Sequence, residues 1–152
     1  MFALAAAFAL PLPTAALSQI PAQIDLEAVQ PLSGSWSYQA VQGGSFAAFV
    51  DAGSTQRFIL RCNRVSRTIS VIRTGVPAAA PTLTIWTTSA ARSVPSRFDV
   101  TRTLTADLRA TDPLLDAIAF SRGRFATAAA GAPLLAVGVS PETVRVIEDC
   151  RS

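Results

Sequence analysis

Alternation of apolar and polar residues is the main pattern in the middle of the chain, and it predicts a series of short β-strands. In one such segment Phe58, Leu60 and Cys62 alternate with Arg57 and Arg61, so the apolar side chains point to one face and the arginines to the other. Val, Ile, Thr and aromatic residues are frequent in these segments, as expected for a half-buried pleated surface. The predicted strands are residues 36–40, 45–51, 56–62, 67–74, 82–88 and 98–108, with a loop at 90–96.

The last third of the chain changes to a helical period. Asp112 is placed to cap a short helix that begins at Pro113, and Gly123 suits the left-handed end of that helix. Two more strands are predicted at 124–130 and 133–139, followed by a last helix from Ser140 to Cys150. The apolar stripe of that helix has the spacing i, i+3, i+4, i+7 and consists of Thr143, Val146, Ile147 and Cys150.

These elements predict a mainly β fold: an antiparallel β-sandwich or partly open barrel of about seven or eight strands, with two short helices near the C-terminus. A βαβ arrangement would need helices between successive strands, and the pattern over residues 56–88 contains none. Residues 32–152 are therefore predicted to form a single domain, which is large enough to bury a real core.

The first residues have the pattern of an export signal. An apolar run from Phe2 to Leu12 precedes Ala16 and Ser18, small residues at the −3 and −1 positions of a cleavage site. The run is too short to span a bilayer, so residues 1–18 are predicted to be a signal peptide and not a transmembrane segment. Residues 19–31 are polar and flanked by proline, which predicts a flexible N-terminal arm. The expected location is periplasmic or secreted.

Two cysteines, Cys62 and Cys150, are the only ones in the chain. Both fall on predicted inward faces, one on a strand and one on the last helix. In an exported protein this pattern predicts a disulfide, because the compartment is oxidising and the close spacing of a redox motif is lacking. Closing so long a loop stabilises a domain by about 4–5 kcal/mol in the chain-entropy treatment.

The amino-acid composition excludes several kinds of catalytic and metal-binding site. The chain has no histidine, which excludes Ser–His–Asp and Cys–His catalysis and most transition-metal sites. It has no P-loop or G-x-G-x-x-G motif, and we expect no cofactor. The net charge of +3 is too small to indicate nucleic-acid binding. Pairs of carboxylates are the remaining catalytic option. Helix capping and exposure to solvent are, however, the better explanation of why these carboxylates occur where they do. We expect a protein that is not an enzyme. The carboxylates in question are Asp112, Asp116, Glu148 and Asp149.

The arginines supply the candidate binding site. Arg57 and Arg61 share the outward face of one predicted strand, and Arg73 is expected to stand beside them on the next. Such a cluster would suit a protein partner or an anionic envelope partner, although strand-edge protection and solubility explain the same pattern. Trp86 lies on a Thr-rich face and is the aromatic residue expected to be exposed, whereas Trp36 and Tyr38 are expected in the core.

The order of elements is similar to a known family. A series of strands is followed by a Leu-rich helix at 112–120, the sequence Arg-Gly-Arg-Phe at 122–125, a strand pair and a short capped helix. This layout, with an inward cysteine in an early strand, resembles the invasion-associated locus B family of small exported envelope proteins. The resemblance implies a β-sandwich character and no established catalytic site.

The function predicted from the sequence is that of an exported, non-catalytic envelope domain that binds or supports another envelope component. The alternative is a proteinaceous inhibitor of a periplasmic or extracellular hydrolase, and a small-ligand carrier also stays open. A flat exposed patch would favour a protein partner. A rigid protruding loop would favour an inhibitor, and a closed apolar pocket would favour a carrier.

Overall fold

Nine antiparallel strands form one curled sheet, a half-barrel, in the computed structural model, which describes residues 21–152. The predicted signal peptide, residues 1–18, lies outside the described residues. The strands are β1 (Gly34–Val41), β2 (Gly44–Asp51), β3 (Gln56–Asn63), β4 (Thr68–Arg73), β5 (Thr82–Trp86), β6 (Ala91–Phe98), β7 (Leu104–Arg109), β8 (Arg124–Ala129) and β9 (Ala132–Gly138), and the helices are α1 (Pro113–Ala119) and α2 (Pro141–Arg151). The mainly β fold with two short helices is therefore confirmed.

The strand order is β1-β2-β3-β4-β7-β6-β5-β8-β9. The first four strands are consecutive hairpin neighbours, and then β7 rather than β5 pairs with β4. The hairpin β5–β6 follows β7 in the sheet and continues into β8 and β9. No helix occurs in residues 56–88, as the sequence predicts.

Side chains that cross the interior connect the first strands of the sheet with its last two strands, β8 and β9. The indole Nε1 of Trp36 in β1 donates a hydrogen bond of 2.7 Å to the carbonyl oxygen of Gly138 at the end of β9. The Trp36 ring also makes edge contacts with Phe49 and Phe58, and Phe58 packs on Phe125 of β8 with ring centroids 5.3 Å apart. These contacts hold β1 close to β8 and β9, although no strand ladder joins the two ends.

Helix α2 covers the inner face of β1 to β4. It begins with Pro141 at its first turn, and the Thr143 hydroxyl donates a 2.7 Å hydrogen bond to the Ser140 carbonyl oxygen. Val146 and Ile147 are completely buried against the sheet. Burial of each such side chain stabilises a fold by about 1.5–3 kcal/mol, so packing rather than helix propensity holds this helix in place.

The predicted disulfide is confirmed. Cys62 in β3 and Cys150 in α2 are bonded, with Cα atoms 5.4 Å apart. Both are buried, because Cys62 shares the inner face of β3 with Phe58 and Leu60 while Cys150 belongs to the apolar stripe of α2. The bond joins the helix to the middle of the strands that it covers.

Two predicted boundaries are wrong. Residues 91–96, which fall in the loop expected at 90–96, belong to strand β6. The long strand expected at 98–108 is divided by a tight turn at residues 99–103. The turn forms because Asp99 binds the following residues and Arg102 adopts a left-handed backbone conformation with φ of 61°. The sheet consequently has nine strands instead of seven or eight.

The N-terminal arm lies against the outer side of the sheet. Leu26 is buried beneath a 3-10 turn, Leu26–Ala28, which Asp25 caps by accepting hydrogen bonds from the N–H groups of Glu27 and Ala28. Leu26 is the buried residue of this segment, and the other residues of 21–31 are exposed or half-buried. The flexible N-terminal arm stays a prediction. No helix in residues 21–152 is long and apolar enough to cross a membrane.

Candidate partner-binding surface

Arg57 and Arg61 lie on the outward face of β3, as predicted. They alternate with buried residues, and Ile59 between them is half-buried. Arg57 is held by an ion pair of 2.6 Å between its Nε and an oxygen of Asp51. The N–H group of Thr55 and the guanidinium of Arg57 lower the pKa of Asp51. Arg61 is exposed, and within residues 21–152 no carboxylate lies within ion-pairing distance of it.

The prediction that Arg73 stands beside these arginines is wrong. Arg73 is the cross-strand partner of Phe58, so its side chain enters the interior, where it is only 5% exposed. Its guanidinium donates hydrogen bonds to the carbonyl oxygens of Thr127, at 2.7 Å, and of Pro133. Burial, together with the positive charge of Arg57, lowers the pKa of Arg73. Its contacts tie β4 to β8 and to the start of β9, which is a structural role.

Trp86 is half-buried and does not join the arginines. Its indole Nε1 donates a 2.9 Å hydrogen bond to the carbonyl oxygen of Ala22 in the N-terminal arm. Its ring packs beside Leu26 of the same arm. The four residues predicted to bind a partner therefore occupy three separate places, and only Arg57 and Arg61 share one surface.

Two further arginines complete that surface. Arg109 of β7 and Arg97 of β6 are exposed, and the register aligns Arg109 with Thr68 and Arg97 with Thr105 on the outward side. We call the surface formed by Arg57, Arg61, Arg97 and Arg109 the outer basic face. Asp107 lies within this face, and its carboxylate is already bound by Arg97 and by the Ser70 hydroxyl at 2.6 Å.

An apolar row runs through the outer basic face. Ile59 of β3 lies directly opposite Ile72 of β4, and both are half-buried. Phe46 of β2, also half-buried, is the cross-strand neighbour of Arg61. Helix α2 lies on the other side of these strands, because the disulfide fixes it to the inward cysteine of β3. Apolar side chains flanked by arginines are thus presented together on the outside of the sheet.

The carboxylates considered for catalysis have other contacts. Asp112 caps α1 through the N–H of Leu114 at 2.9 Å and pairs with Arg92 at 2.7 Å. Asp116 and Glu148 both pair with Arg151. No group of three or more metal-ligating side chains occurs in the part of the chain that the structure describes.

Asp149, the remaining carboxylate, accepts a hydrogen bond of 2.7 Å from the hydroxyl of Tyr38. Burial alone would raise the pKa of Asp149, but hydrogen bonding and the charges of Arg64 and Arg145 lower it overall. A general acid needs a raised pKa, so this environment does not favour that role.

The centre of the half-barrel is filled by side chains, and five clefts on its outside, within residues 21–152, open to solvent. These clefts have volumes of about 390–620 Å³. They lie on the outside of the domain, and one of them is lined by Arg61 of the outer basic face and by Ser70. The centre of the half-barrel is occupied by fully buried residues: Phe58, Leu60, Leu115, Phe125 and Ile147.

The loop at residues 99–103 is held by hydrogen bonds to the carboxylate of Asp99. The carboxylate of Asp99 accepts hydrogen bonds from the N–H of Thr101 at 2.8 Å and from the hydroxyl of Thr103 at 2.6 Å. Hydrogen bonds from the side chains of Thr101 and Thr103 lower the pKa of Asp99 to about 2. Val100, at the tip of the loop, is 99% exposed. The loop therefore presents an apolar side chain on a fixed backbone.

Comparisons with protein-family models, with curated proteins and with solved structures give no match for this chain. The resemblance to the invasion-associated locus B family stays a prediction.

Proposed function

We propose that the protein is an exported, non-catalytic binding domain of the cell envelope and that its outer basic face docks an acidic protein partner. One observation carries the proposal: exposed arginines flank a half-buried apolar row on the same outward surface. Protein interfaces commonly combine an apolar centre with a polar rim. Here Ile59 and Ile72 supply the centre, and Arg61 and Arg109 supply the rim.

The charge of the partner follows from the arginines. Asp51 and Asp107 are already engaged by Arg57 and Arg97, so their charges are not available to Arg61. A guanidinium pairs with a carboxylate through two parallel hydrogen bonds, and complementary charge accelerates association. An acidic protein surface with an apolar centre is therefore the partner that this face fits.

The disulfide supports the proposed location. Bonds of this kind persist in oxidising compartments and are rare in the cytosol. The Cys62–Cys150 bond agrees with the signal pattern of residues 1–18, which predicts export to the periplasm or beyond.

A capture experiment tests the proposal. The disulfide-bonded protein is immobilised and exposed to an envelope extract at low ionic strength, and the retained proteins are quantified by mass spectrometry. We expect an acidic protein to be retained and to be released by salt, because surface charges are screened at high ionic strength. The variant Arg61→Ser/Arg109→Ser should retain much less of it.

A charge-matched control separates the face from net charge. The variant Arg122→Ser/Arg145→Ser also removes two positive charges from exposed positions, but neither residue belongs to the outer basic face. It should retain the partner as the wild type does. Equal loss in both variants would show that only net charge matters, and equal retention by all three proteins would show that the face is not the site.

The second candidate function, inhibition of a hydrolase, is supported by the loop at residues 99–103. A pre-ordered loop loses little entropy when it enters a partner's cleft, which favours tight binding. If the protein is an inhibitor, Val100 is the residue that enters an apolar specificity pocket. Residual activity of periplasmic and extracellular hydrolases is the measurement: the wild type should inhibit one of them, and Val100→Asp should not.

A further inference from the structure

The N-terminal arm is held in a groove on the outer side of β5, β8 and β9, away from the outer basic face. The floor of this groove is made by two small buried residues, Ala126 and Ala136, and its wall by Trp86. Leu26 fills the space between them and is 4% exposed. Small side chains on two neighbouring strands thus form a hole that one leucine occupies.

The remaining contacts of the groove are made mainly with the backbone of the arm. Trp86 binds the carbonyl oxygen of Ala22 at 2.9 Å, and the Arg124 guanidinium binds that of Val29 at 2.6 Å. The N–H of Leu32 donates a 2.8 Å hydrogen bond to the carbonyl oxygen of Ala136 in β9. Recognition of backbone groups together with one anchoring side chain is a way in which proteins bind short peptide segments.

The arm itself uses few side chains. Leu26 is its buried residue, and Ala22, Glu27 and Ala28 are exposed. A segment with few buried apolar contacts opens at a lower free-energy cost than the whole domain. The groove can therefore be vacated while the disulfide-bonded sheet stays folded.

The arm also leaves part of the groove unfilled. A cleft of about 580 Å³ runs beside it and is lined by Ile24, Glu27 and Phe120. Phe120, at the end of α1, is 82% exposed although it is a large apolar residue. A second peptide could gain an apolar contact with Phe120 that the arm does not make.

We propose that this groove is a peptide-binding site that residues 22–32 occupy in cis, and that a short segment of a partner protein, with a turn at its anchoring leucine, displaces them. The partner segment carries a leucine at the position of Leu26 and a second apolar residue that reaches Phe120. This inference is independent of the outer basic face.

The two tryptophans allow a direct test by nuclear magnetic resonance. Each gives one indole N–H signal: Trp86 reports the arm, and Trp36 reports the fold through its hydrogen bond to Gly138. The probe is a synthetic peptide with the sequence of residues 21–33. The protein is the complete chain carrying Leu26→Ser, with its disulfide formed.

We expect Leu26→Ser to shift the Trp86 signal and to leave the Trp36 signal in place. Adding the peptide should return the Trp86 signal to its wild-type position in a saturable way. Binding to the wild-type chain is followed through the signals of an isotope-labelled peptide. It should be at least about tenfold weaker than binding to Leu26→Ser, because the wild-type arm competes at a high effective concentration. A control peptide with Leu26→Ser should have no effect.

The proposal is overturned if the peptide leaves the Trp86 signal unchanged while the Trp36 signal shows an intact fold, or if the control peptide acts equally well. Should Leu26→Ser unfold the chain, the milder Leu26→Ala variant serves in its place. A peptide with Glu27→Leu should bind at least about threefold more tightly than the native peptide, because each methylene group that is buried contributes about 0.8 kcal/mol. This gain in peptide affinity should vanish when the protein carries Phe120→Ser. If the gain persists, Phe120 does not contact the bound peptide.

Discussion

Replacing Cys150 by Ala breaks the covalent link between α2 and β3 while leaving a small apolar side chain in the buried site. The bond closes a loop with a sequence separation of 88 residues. For a loop of this length the chain-entropy relation, −2.1 − 1.5R ln n, gives a stabilisation of about 4.6 kcal/mol at 25 °C. For a domain of this size the loss corresponds to a fall in melting temperature of about 9–18 °C.

The assay is equilibrium unfolding in urea, followed by the fluorescence of Trp36 and Trp86. The variant should unfold at a lower urea concentration, and its m-value should rise because an unfolded chain without the crosslink exposes more surface. Cys62→Ala/Cys150→Ala is the matched control and should behave as the single variant does. Dithiothreitol should lower the stability of the wild type alone.

Equal stability of the wild type with and without reductant would refute this reasoning. A loss of stability in Cys150→Ala that is absent from the double variant would also contradict it, because the effect would then come from the unpaired thiol of Cys62 and not from the lost crosslink.

Three further predictions concern the interior and the 99–103 loop. Arg73→Met should lower the unfolding free energy by about 2–4 kcal/mol, as measured in urea, because the carbonyl oxygens of Thr127 and Pro133 lose a charged donor. Thr127→Val should raise it by about 1 kcal/mol, since the Thr127 hydroxyl is buried and has no hydrogen-bond partner within residues 21–152. Asp99 has a pKa of about 2 in the folded protein against 3.8 ordinarily, so its contribution to stability is complete above about pH 4 and is lost as the pH falls toward 2. Asp99→Asn should flatten the dependence of melting temperature on pH in that window.

Local alternation predicted the faces of β3 and the crosslink correctly. The apolar residues of β3 and the apolar stripe of α2 both point inward, and a cysteine belongs to each set. Because the period of a strand or a helix fixes which side chains share a face, these features needed no knowledge of which elements pair.

For Arg73 the alternation of the strand and the usual exposure of a charged residue lead to opposite predictions. Alternation in β4 places Arg73 on the same face as Ile69 and Val71, both completely buried. The expectation that a charged residue faces water outweighed that period. The buried guanidinium donates to carbonyl oxygens of β8 and of the start of β9, which are more than fifty residues away in sequence. The sequence around Arg73 therefore could not predict these partners.

The outer basic face was only half predictable for a similar reason. The alternation of Leu104, Ala106 and Leu108 already pointed Arg109 outward. Its position beside β4, however, depends on a long-range pairing in which the β5–β6 hairpin lies beyond β7. Local patterns specify faces, whereas the order of strands in a sheet depends on how the whole core packs.

The central claim is that the outer basic face docks an acidic partner, and the salt dependence of that affinity tests it most directly. The partner captured by the wild type is titrated with wild type, Arg61→Ser/Arg109→Ser and Arg122→Ser/Arg145→Ser from low to physiological ionic strength. We predict that the Arg61/Arg109 variant binds at least about tenfold more weakly at low salt, a loss of about 1.4 kcal/mol, and that its affinity depends less on salt. Equal affinities and equal salt slopes for all three proteins would contradict the account.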